Sequence, residues 1–305
     1  MEFRDGNAMI TEIPVTLSFR GANSDDAFID FYDVAQALLG FQRSLALTTH
    51  LVLNGEVITQ APALKGARIF VAPPEAGSWK IPAYIVVGLT GIYQLGTAPK
   101  DSPIGHMVYS LYDYVISESL GVHVDYNRTL GQIYEEAQRN KLKIKPVTES
   151  QADSLIEKCS TAIREMHRPI TAMGTAKTAS VAMILDTQPI PLSSKLSMHT
   201  YEFMSETRQS IDVERIIGRV SSYNSNTYKG RVYVPQIGRP VNFELDPKGR
   251  SGAAVQSITT SLHLNANGRG DQPGALIVMT VFRRESKAGH LKSFLALHVD
   301  KMRNS

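Results

Sequence analysis

The stretch VERIIGRVSSYNSNTYKGRVYVPQIGRPVNFEL, residues 213–245, decides the fold of the last third of the chain. It holds three β-rich runs, which are residues 213–223, 229–235 and 241–245. In the second run, Val232 and Val234 alternate with an arginine and a tyrosine, a period of two that is typical of a half-buried strand. The stretch therefore predicts three consecutive strands separated by polar turns.

The residues after this stretch predict a helix and one more hairpin. Residues 252–264 fit a helix, residues 265–274 form a polar, glycine-rich loop, and residues 275–284 and 291–299 fit two strands. The order of three strands, a helix and two strands is typical of a five-stranded OB-like barrel. A small SH3-like barrel is the alternative.

The first half of the chain predicts a different unit. Residues 13–20 alternate as a strand, residues 27–53 carry apolar side chains at helical spacing, and residues 67–72 and 78–87 flank a turn as a hairpin. The helix is expected to end at Asn54-Gly55. A strand, a long helix and a hairpin favour an α+β unit with an antiparallel sheet.

The middle of the chain is predicted to be helical. A helix begins at Ser102-Pro103 and stops at Gly121, a shorter one covers residues 129–140, and the capping box at Thr148–Gln151 begins a third. Residues 171–185 are ambiguous, and residues 188–194 read as a linker or an extended crossing segment. The predicted division is an α+β domain over residues 1–195 and a basic barrel-like domain over residues 210–305.

Charge is unevenly distributed along the chain. From Arg208 onward, 15 Lys and Arg face 7 Asp and Glu, a formal charge of +8, whereas the first 207 residues hold 17 against 22, a charge of −5. Aromatic residues are interleaved with the C-terminal cations, a composition that can stack bases and contact phosphates. The candidate nucleic-acid-binding residues are Arg219, Lys229, Arg231, Tyr233, Arg283, Arg284 and Lys292. A solvated surface, or docking onto the acidic part of the same chain, is the competing explanation.

Motifs for catalysis or metal binding are not evident in the sequence. The eight histidines are scattered without metal-ligand spacing, and Cys159 lies on an apolar helical stripe, so no cofactor is expected. An enzyme would have to assemble its site from distant segments, with His106, Asp113, Glu118 and Asp125 as first candidates. One cysteine and the charged start of the chain, which lacks signal-peptide character, fit a cytoplasmic protein.

Two further alternatives concern partners. The uncharged stretch 81–98 could act on membranes, although its length and composition are borderline for a span. The apolar helix at residues 27–53 could bury one face internally or in a homodimer.

Four segments carry a resemblance to a known family: YDVAQALLG at residues 32–40 followed by RSL at 43–45, APALKGA at 61–67, PPEAGS at 73–78 and YDYVISE at 112–118. They resemble an uncharacterised family of bacterial two-part proteins associated with mobile and phage-defence regions. The resemblance implies a bacterial or phage origin, but it supplies no activity and no functional residues. The sequence as a whole favours a non-enzymatic binding or assembly protein, a sensor or scaffold whose basic barrel contacts a nucleic acid or a nucleotide-like ligand.

Overall fold

The computed structural model describes residues 10–73, 79–88, 103–123, 146–185, 187–270, 272, 274–286 and 289–302. It divides into two compact units, Met1–Tyr201 and Glu202–Ser305. Each unit contains a β-sheet in its described residues, and helices accompany both sheets, so the α+β class is confirmed.

The strands of the N-terminal unit form one sheet. They are β1 (Ile10–Arg20), β2 (Ala67–Val71), β3 (Trp79–Gly88), β4 (Thr178–Leu185), β5 (Gln188–Pro191) and β6 (Leu196–Ser197). The order is β2-β3-β1-β4-β5, with β6 beside β4, and the pairs are antiparallel. The ambiguous region at residues 171–185 thus contains a strand, and the presumed linker at 188–194 begins as one. Its two prolines suit an edge strand, which needs fewer backbone donors.

The described α-helices between residues 10 and 205 alternate with these strands along the chain. They are α1 (Phe31–Asn54), α2 (Pro103–Ser119), α3 (Glu149–Met166), α4 (Arg168–Thr171) and α5 (Met198–Ser205). The capping box at Thr148 and the left-handed end of α1 at Gly55 are confirmed. At the contact between α1 and α3, a Cβ on Gly40 would lie 2.3 Å from the carbonyl oxygen of Ala162, so only glycine permits this approach. The helix predicted at residues 129–140 lies outside the described residues.

The start of α1 differs from the sequence prediction. Residue Ala27 has a φ of 64°, in the left-handed region, so the helix cannot begin there. The side chain of Asp30 caps the helix by accepting a hydrogen bond from Asp33 N at 2.9 Å. The helix therefore begins at Phe31, and residues Ala22–Asp26 form a separate 3₁₀ turn.

Five strands and one helix make up the C-terminal unit after α5. They are β7 (Arg208–Asn224), β8 (Lys229–Val234), β9 (Arg239–Leu245), α6 (Gly252–Ala266), β10 (Ile277–Glu285) and β11 (Leu291–Lys301). The strands close into a ring in the order β7-β8-β9-β11-β10, because β10 pairs again with β7. The β9–β11 pair is parallel and the other pairs are antiparallel.

The core of the ring is apolar and includes one face of α6. Its buried members include Val220, Val232, Val241, Phe243, Ile258, Ile277, Met279, Val281 and Phe294. The β7–β8 pairing is irregular between Val220 and Ser222, and α6 satisfies the backbone there. Val220 N donates to Ser261 Oγ at 3.0 Å, and Asn265 Nδ2 donates to Val220 O at 3.1 Å. These bonds fix the helix against the ring.

Candidate functional site

Three of the predicted residues share one face of β8, the face that points away from the core of the ring. Lys229, Arg231 and Tyr233 alternate along β8 with the buried residues Val232 and Val234, so they occupy the opposite face of the strand. Alternate side chains on a strand are about 6.6 Å apart, which spaces these groups along a line. We use the name β8 face for the surface formed by Arg219, Lys229, Arg231, Tyr233 and Asn242.

Arg219 joins this surface from the neighbouring strand. It is opposite Tyr233 in the β7–β8 register, and its guanidinium carbon lies 5.5 Å from the centre of the tyrosine ring. A cation–π contact of this kind holds the guanidinium over the ring face. Gly270 packs closely on the same group, because a Cβ there would lie 2.6 Å from Arg219 Nη1. The arginine is therefore presented in a defined position.

Arg231 has a different environment from its neighbours. It is opposite Ser222 on β7 and Asn242 on β9, and only 3% of its surface is exposed. Asn242 is exposed beside it. Arg231 is therefore covered by its neighbours, whereas Arg219, Lys229 and Tyr233 are partly exposed.

An acidic residue interrupts the cationic surface at its edge. Glu244 is opposite Lys229 in the β8–β9 register and accepts a hydrogen bond from Arg284 Nη1 at 2.8 Å. Both members of this ion pair are about one-third exposed, with side-chain values of 27% for the arginine and 31% for the glutamate. Arg284 therefore lies near the β8 face but is partly neutralised.

The two remaining predicted residues have other roles in the fold. Arg283 Nε donates to Glu285 Oε1 at 2.9 Å, and its Nη1 lies 3.8 Å from Glu214 Oε2, so two carboxylates share its charge. Lys292 Nζ donates to the carbonyl oxygens of Met204 and Glu206 and to the Thr207 hydroxyl at 2.7–3.4 Å. Burial lowers the pKa of Lys292. This lysine fastens the segment that leads into β7.

One cation–aromatic pair was not among the predicted site residues. The guanidinium carbon of Arg250 lies 4.4 Å from the centre of the Tyr228 ring, and Arg250 Nε donates to Leu245 O at 3.2 Å. Tyr228 has a φ of 57°, an unfavourable conformation for a bulky residue. It directly precedes Lys229, and its partly buried ring packs against the core of the C-terminal ring. No spacing in the sequence marks this pair, because two strands separate its members.

The catalytic candidates of the N-terminal unit are engaged in structural contacts. Asp113 accepts hydrogen bonds from Ser193 N and Ser193 Oγ, both at 2.7 Å, and so fastens the segment after β5 to α2. Glu118 pairs with His123 at 2.8 Å. His106 also has an interaction partner, and Asp125 lies outside the described residues. The contacts described for Asp113 and Glu118 are those of residues that hold the chain in place.

The structure also bears on the reactivity of Cys159 and on the presence of metal-ligand groups. Burial raises the pKa of Cys159 to about 12, which keeps it a thiol at neutral pH. Within the part of the chain that the structure describes, no group of three His, Cys, Asp or Glu residues could hold a metal ion.

The apolar stretch 81–98 is only partly described. Residues 81–88 belong to β3, where Ile81, Ala83, Ile85 and Val87 are buried in the sheet, and residues 89–98 lie outside the described ranges. Among the described helices, none is both long and apolar enough to cross a membrane.

The fold and this surface define an α+β protein of two units, whose C-terminal unit is a closed five-stranded ring with cations on its outside. Residues 15–203 match the family model described as a domain of unknown function (DUF7946), and residues 212–299 match one described as a family of unknown function (DUF7947). The first match covers more than half of the chain, so the chain belongs to the DUF7946 family. No curated protein and no solved structure matches the chain significantly. Two adjacent families of unknown function thus cover most of the chain, which confirms the expectation of an uncharacterised two-part protein.

Proposed function

We propose that this protein is a non-enzymatic binding protein whose C-terminal ring is an OB-like barrel that contacts single-stranded nucleic acid through the β8 face. Two strands of an OB fold, the second and third, carry its ligand surface together with the turn between the first two strands. The corresponding elements here are β8, β9 and the turn that ends at Tyr228. The strand order and the position of α6 between β9 and β10 support this assignment.

The observation that carries the proposal is the contact between Arg219 and Tyr233. An arginine held over a tyrosine offers a cation for a phosphate and a planar surface on which a base can stack. Lys229 lies on the same face of β8, four residues before Tyr233, so a second cation is available along the strand for a phosphate chain. The formal charge of +8 after residue 207 attracts any polyanion to this unit.

A cellular role as a sensor or scaffold completes the proposal. The resemblance to bacterial proteins associated with phage-defence regions suggests a cytoplasmic role in defence, in which nucleic-acid contact by the ring would be coupled to the N-terminal unit. A nucleotide-like ligand would use the same cation and the same aromatic ring.

The test is a fluorescence anisotropy titration of the full chain with a labelled 20-nucleotide oligothymidylate and its RNA equivalent. We expect binding at 50 mM salt, with an affinity that falls steeply with salt because each neutralised phosphate releases counterions. The variants Arg219→Ala and Tyr233→Ala should each weaken binding about tenfold, since stacking on an aromatic ring contributes about 1–3 kcal/mol per base.

Arg208→Ala is the matched control, because Arg208 is an exposed arginine at the start of β7, away from the β8 face. It should change the affinity less than twofold. Absence of binding at 50 mM salt and 100 µM protein would refute the proposal, and so would equal losses for Arg208→Ala and Arg219→Ala.

A further inference from the structure

A group of exposed apolar side chains lies at the beginning of α1 in the N-terminal unit. The exposed fractions are 72% for Phe28, 85% for Phe31, 61% for Tyr32 and 70% for Met173. We call these four residues the aromatic patch. Leu39, 62% exposed, lies seven residues after Tyr32, two turns along the same side of α1. Contiguous apolar surfaces of this kind on soluble proteins mark interaction sites.

The aromatic patch is held in place by a buried carboxylate. Asp33, only 1% exposed, accepts hydrogen bonds from Arg168 Nε at 3.1 Å and from Met173 N at 3.2 Å. The guanidinium of Arg168 also lies 5.0 Å from the centre of the Tyr32 ring. These contacts join α4 and the residues after it to the first turn of α1. The exposed side chains are thus presented by an ordered backbone, which lowers the entropic cost of binding.

The turn that leads into the aromatic patch is strained. Ala22 and Ala27 have φ angles of 54° and 64°, in the left-handed region that disfavours residues other than glycine. Hydrogen bonds hold the turn: Trp79 Nε1 donates to Ala27 O at 2.8 Å, and Phe28 N donates to Asn23 O at 3.0 Å. Backbone strain of this kind concentrates at binding surfaces. Here it directs Phe28 outward instead of into the core.

We infer that the aromatic patch is the centre of a two-fold interface between two copies of this chain. Phe, Tyr, Met and Arg are the residue types enriched in interface cores, and the patch with Arg168 contains all four. At 150–250 Å² per aromatic side chain, the exposed rings offer roughly 300–550 Å². That is about half of the ~800 Å² that each partner buries in a stable interface, and Met173, Leu39 and the surrounding residues add to it.

The charges around the aromatic patch are compatible with self-association. Asp25 and Asp26 are exposed in the 3₁₀ turn before Phe28, and Arg168 lies beneath Tyr32. In a two-fold interface each surface contacts its own copy, so the acidic turn of one copy can approach the exposed third of the Arg168 side chain of the other, whose Nε is bonded to Asp33. Two-fold dimers are also the commonest form of protein oligomer. The inference does not rest on the proposed nucleic-acid binding, because the residues of the aromatic patch belong to the N-terminal unit.

The first test measures the mass of the full chain by light scattering and sedimentation between 1 and 100 µM. We expect a dimer that the variant Phe31→Asp dissociates, with the dissociation constant raised at least tenfold. Ile211→Asp is the matched control, because Ile211 is 94% exposed on β7 and should leave the dimer intact. A wild-type monomer at 100 µM overturns the inference and leaves the patch to another protein or a lipid surface. A dimer that persists in Phe31→Asp overturns it as well.

Cross-linking provides a second measurement that does not depend on the folding of Phe31→Asp. Cys159, the single cysteine of the chain, is buried and does not compete for a thiol reagent. A cysteine at Ala35, half-buried one turn after Phe31 and Tyr32, should be joined to its counterpart by a short bismaleimide. Ala35→Cys should give a covalent dimer at 1–10 µM, and Ile211→Cys should not. Equal cross-linking of both variants, or of neither, contradicts a dimer centred on the aromatic patch.

Discussion

The two units of this protein use charged and titratable side chains in opposite ways. In the N-terminal unit, Asp33, Asp113 and His167 are at most 5% exposed, and each is hydrogen-bonded to a segment distant in sequence or to a neighbouring turn. In the C-terminal ring, the core cluster is apolar, and most cations lie on the outside of the strands. Arg231 is the exception in the ring, at 3% exposure.

This difference predicts which property, stability or ligand affinity, a substitution in each unit should change. A buried charge loses its hydration, so its partners must compensate, and removal of the group leaves those partners unsatisfied. An exposed cation on a strand keeps its hydration, so its removal has little effect on folding. Substitutions of charged groups should therefore lower stability in the N-terminal unit and ligand affinity in the ring.

The largest effect is expected for Asp33→Ala. The change removes the acceptor of both Arg168 Nε and Met173 N, so we expect the free energy of unfolding to fall by about 3 kcal/mol. Urea unfolding of the full chain, followed by circular dichroism, measures it. Asp26→Ala, an exposed carboxylate seven residues earlier, is the control and should cost less than about 0.5 kcal/mol. Equal losses for the two variants would remove the distinction between buried and exposed charges.

A pH-dependent effect of similar size is expected at His167. Burial lowers the pKa of His167 to about 4, against 6.5 for an ordinary histidine. Between these values the unfolded chain binds the extra proton, so the free energy of unfolding should fall as the pH drops from 6.5 to 4. The buried imidazole accounts for about 3 kcal/mol of pH-dependent free energy of unfolding, which is present above pH 6.5 and lost by pH 4.

The comparison of wild type with His167→Gln isolates this contribution from that of the carboxylates. Glutamine retains a donor and an acceptor for Ile163 O and Thr200 Oγ1, the two partners of the imidazole. Urea midpoints at pH 4.5 and 7.0 should differ less in His167→Gln than in the wild type. If both proteins lose the same stability on acidification, the buried imidazole is not responsible.

A smaller effect should follow from Gly40→Ala at the contact of α1 with α3. The new methyl group would meet the carbonyl oxygen of Ala162, and overpacking of this kind costs about 1–3 kcal/mol. Gly252→Ala is the matched control in the ring, because no atom lies within 4 Å of the position that its Cβ would take. It should be neutral or slightly stabilising by thermal unfolding. A destabilising Gly252→Ala, or a neutral Gly40→Ala, would contradict the described packing.

The elements of the ring could be predicted from the sequence because each strand carries its own alternation. Val232 and Val234 alternate with polar neighbours within one strand, so the pattern is local and visible. The start of α1 could not be predicted in the same way. Apolar spacing continues to Ala27, but the turn that contains this left-handed residue is held by tertiary hydrogen bonds, since Trp79 Nε1 donates to Ala27 O and Ser24 N donates to Thr175 O.

The candidate site was likewise predictable only where the pattern is local to one strand. Alternation in β8 placed Lys229, Arg231 and Tyr233 on one face, but the partner of Tyr233 depends on the register with β7. The burial of Arg231 and the neutralisation of Arg283 by Glu214 and Glu285 also depend on tertiary neighbours. Sequence composition cannot distinguish a cation paired with a carboxylate from one that is available to a phosphate.

The most direct test of the division between the two units is to measure Arg219→Ala by two methods on the same preparation. Anisotropy with the 20-nucleotide oligothymidylate gives its affinity, and urea unfolding gives its stability. We predict an affinity about tenfold weaker than wild type and a free energy of unfolding within about 0.5 kcal/mol of it. An unchanged affinity together with a clear loss of stability would show that this cation supports the fold, and would contradict the account.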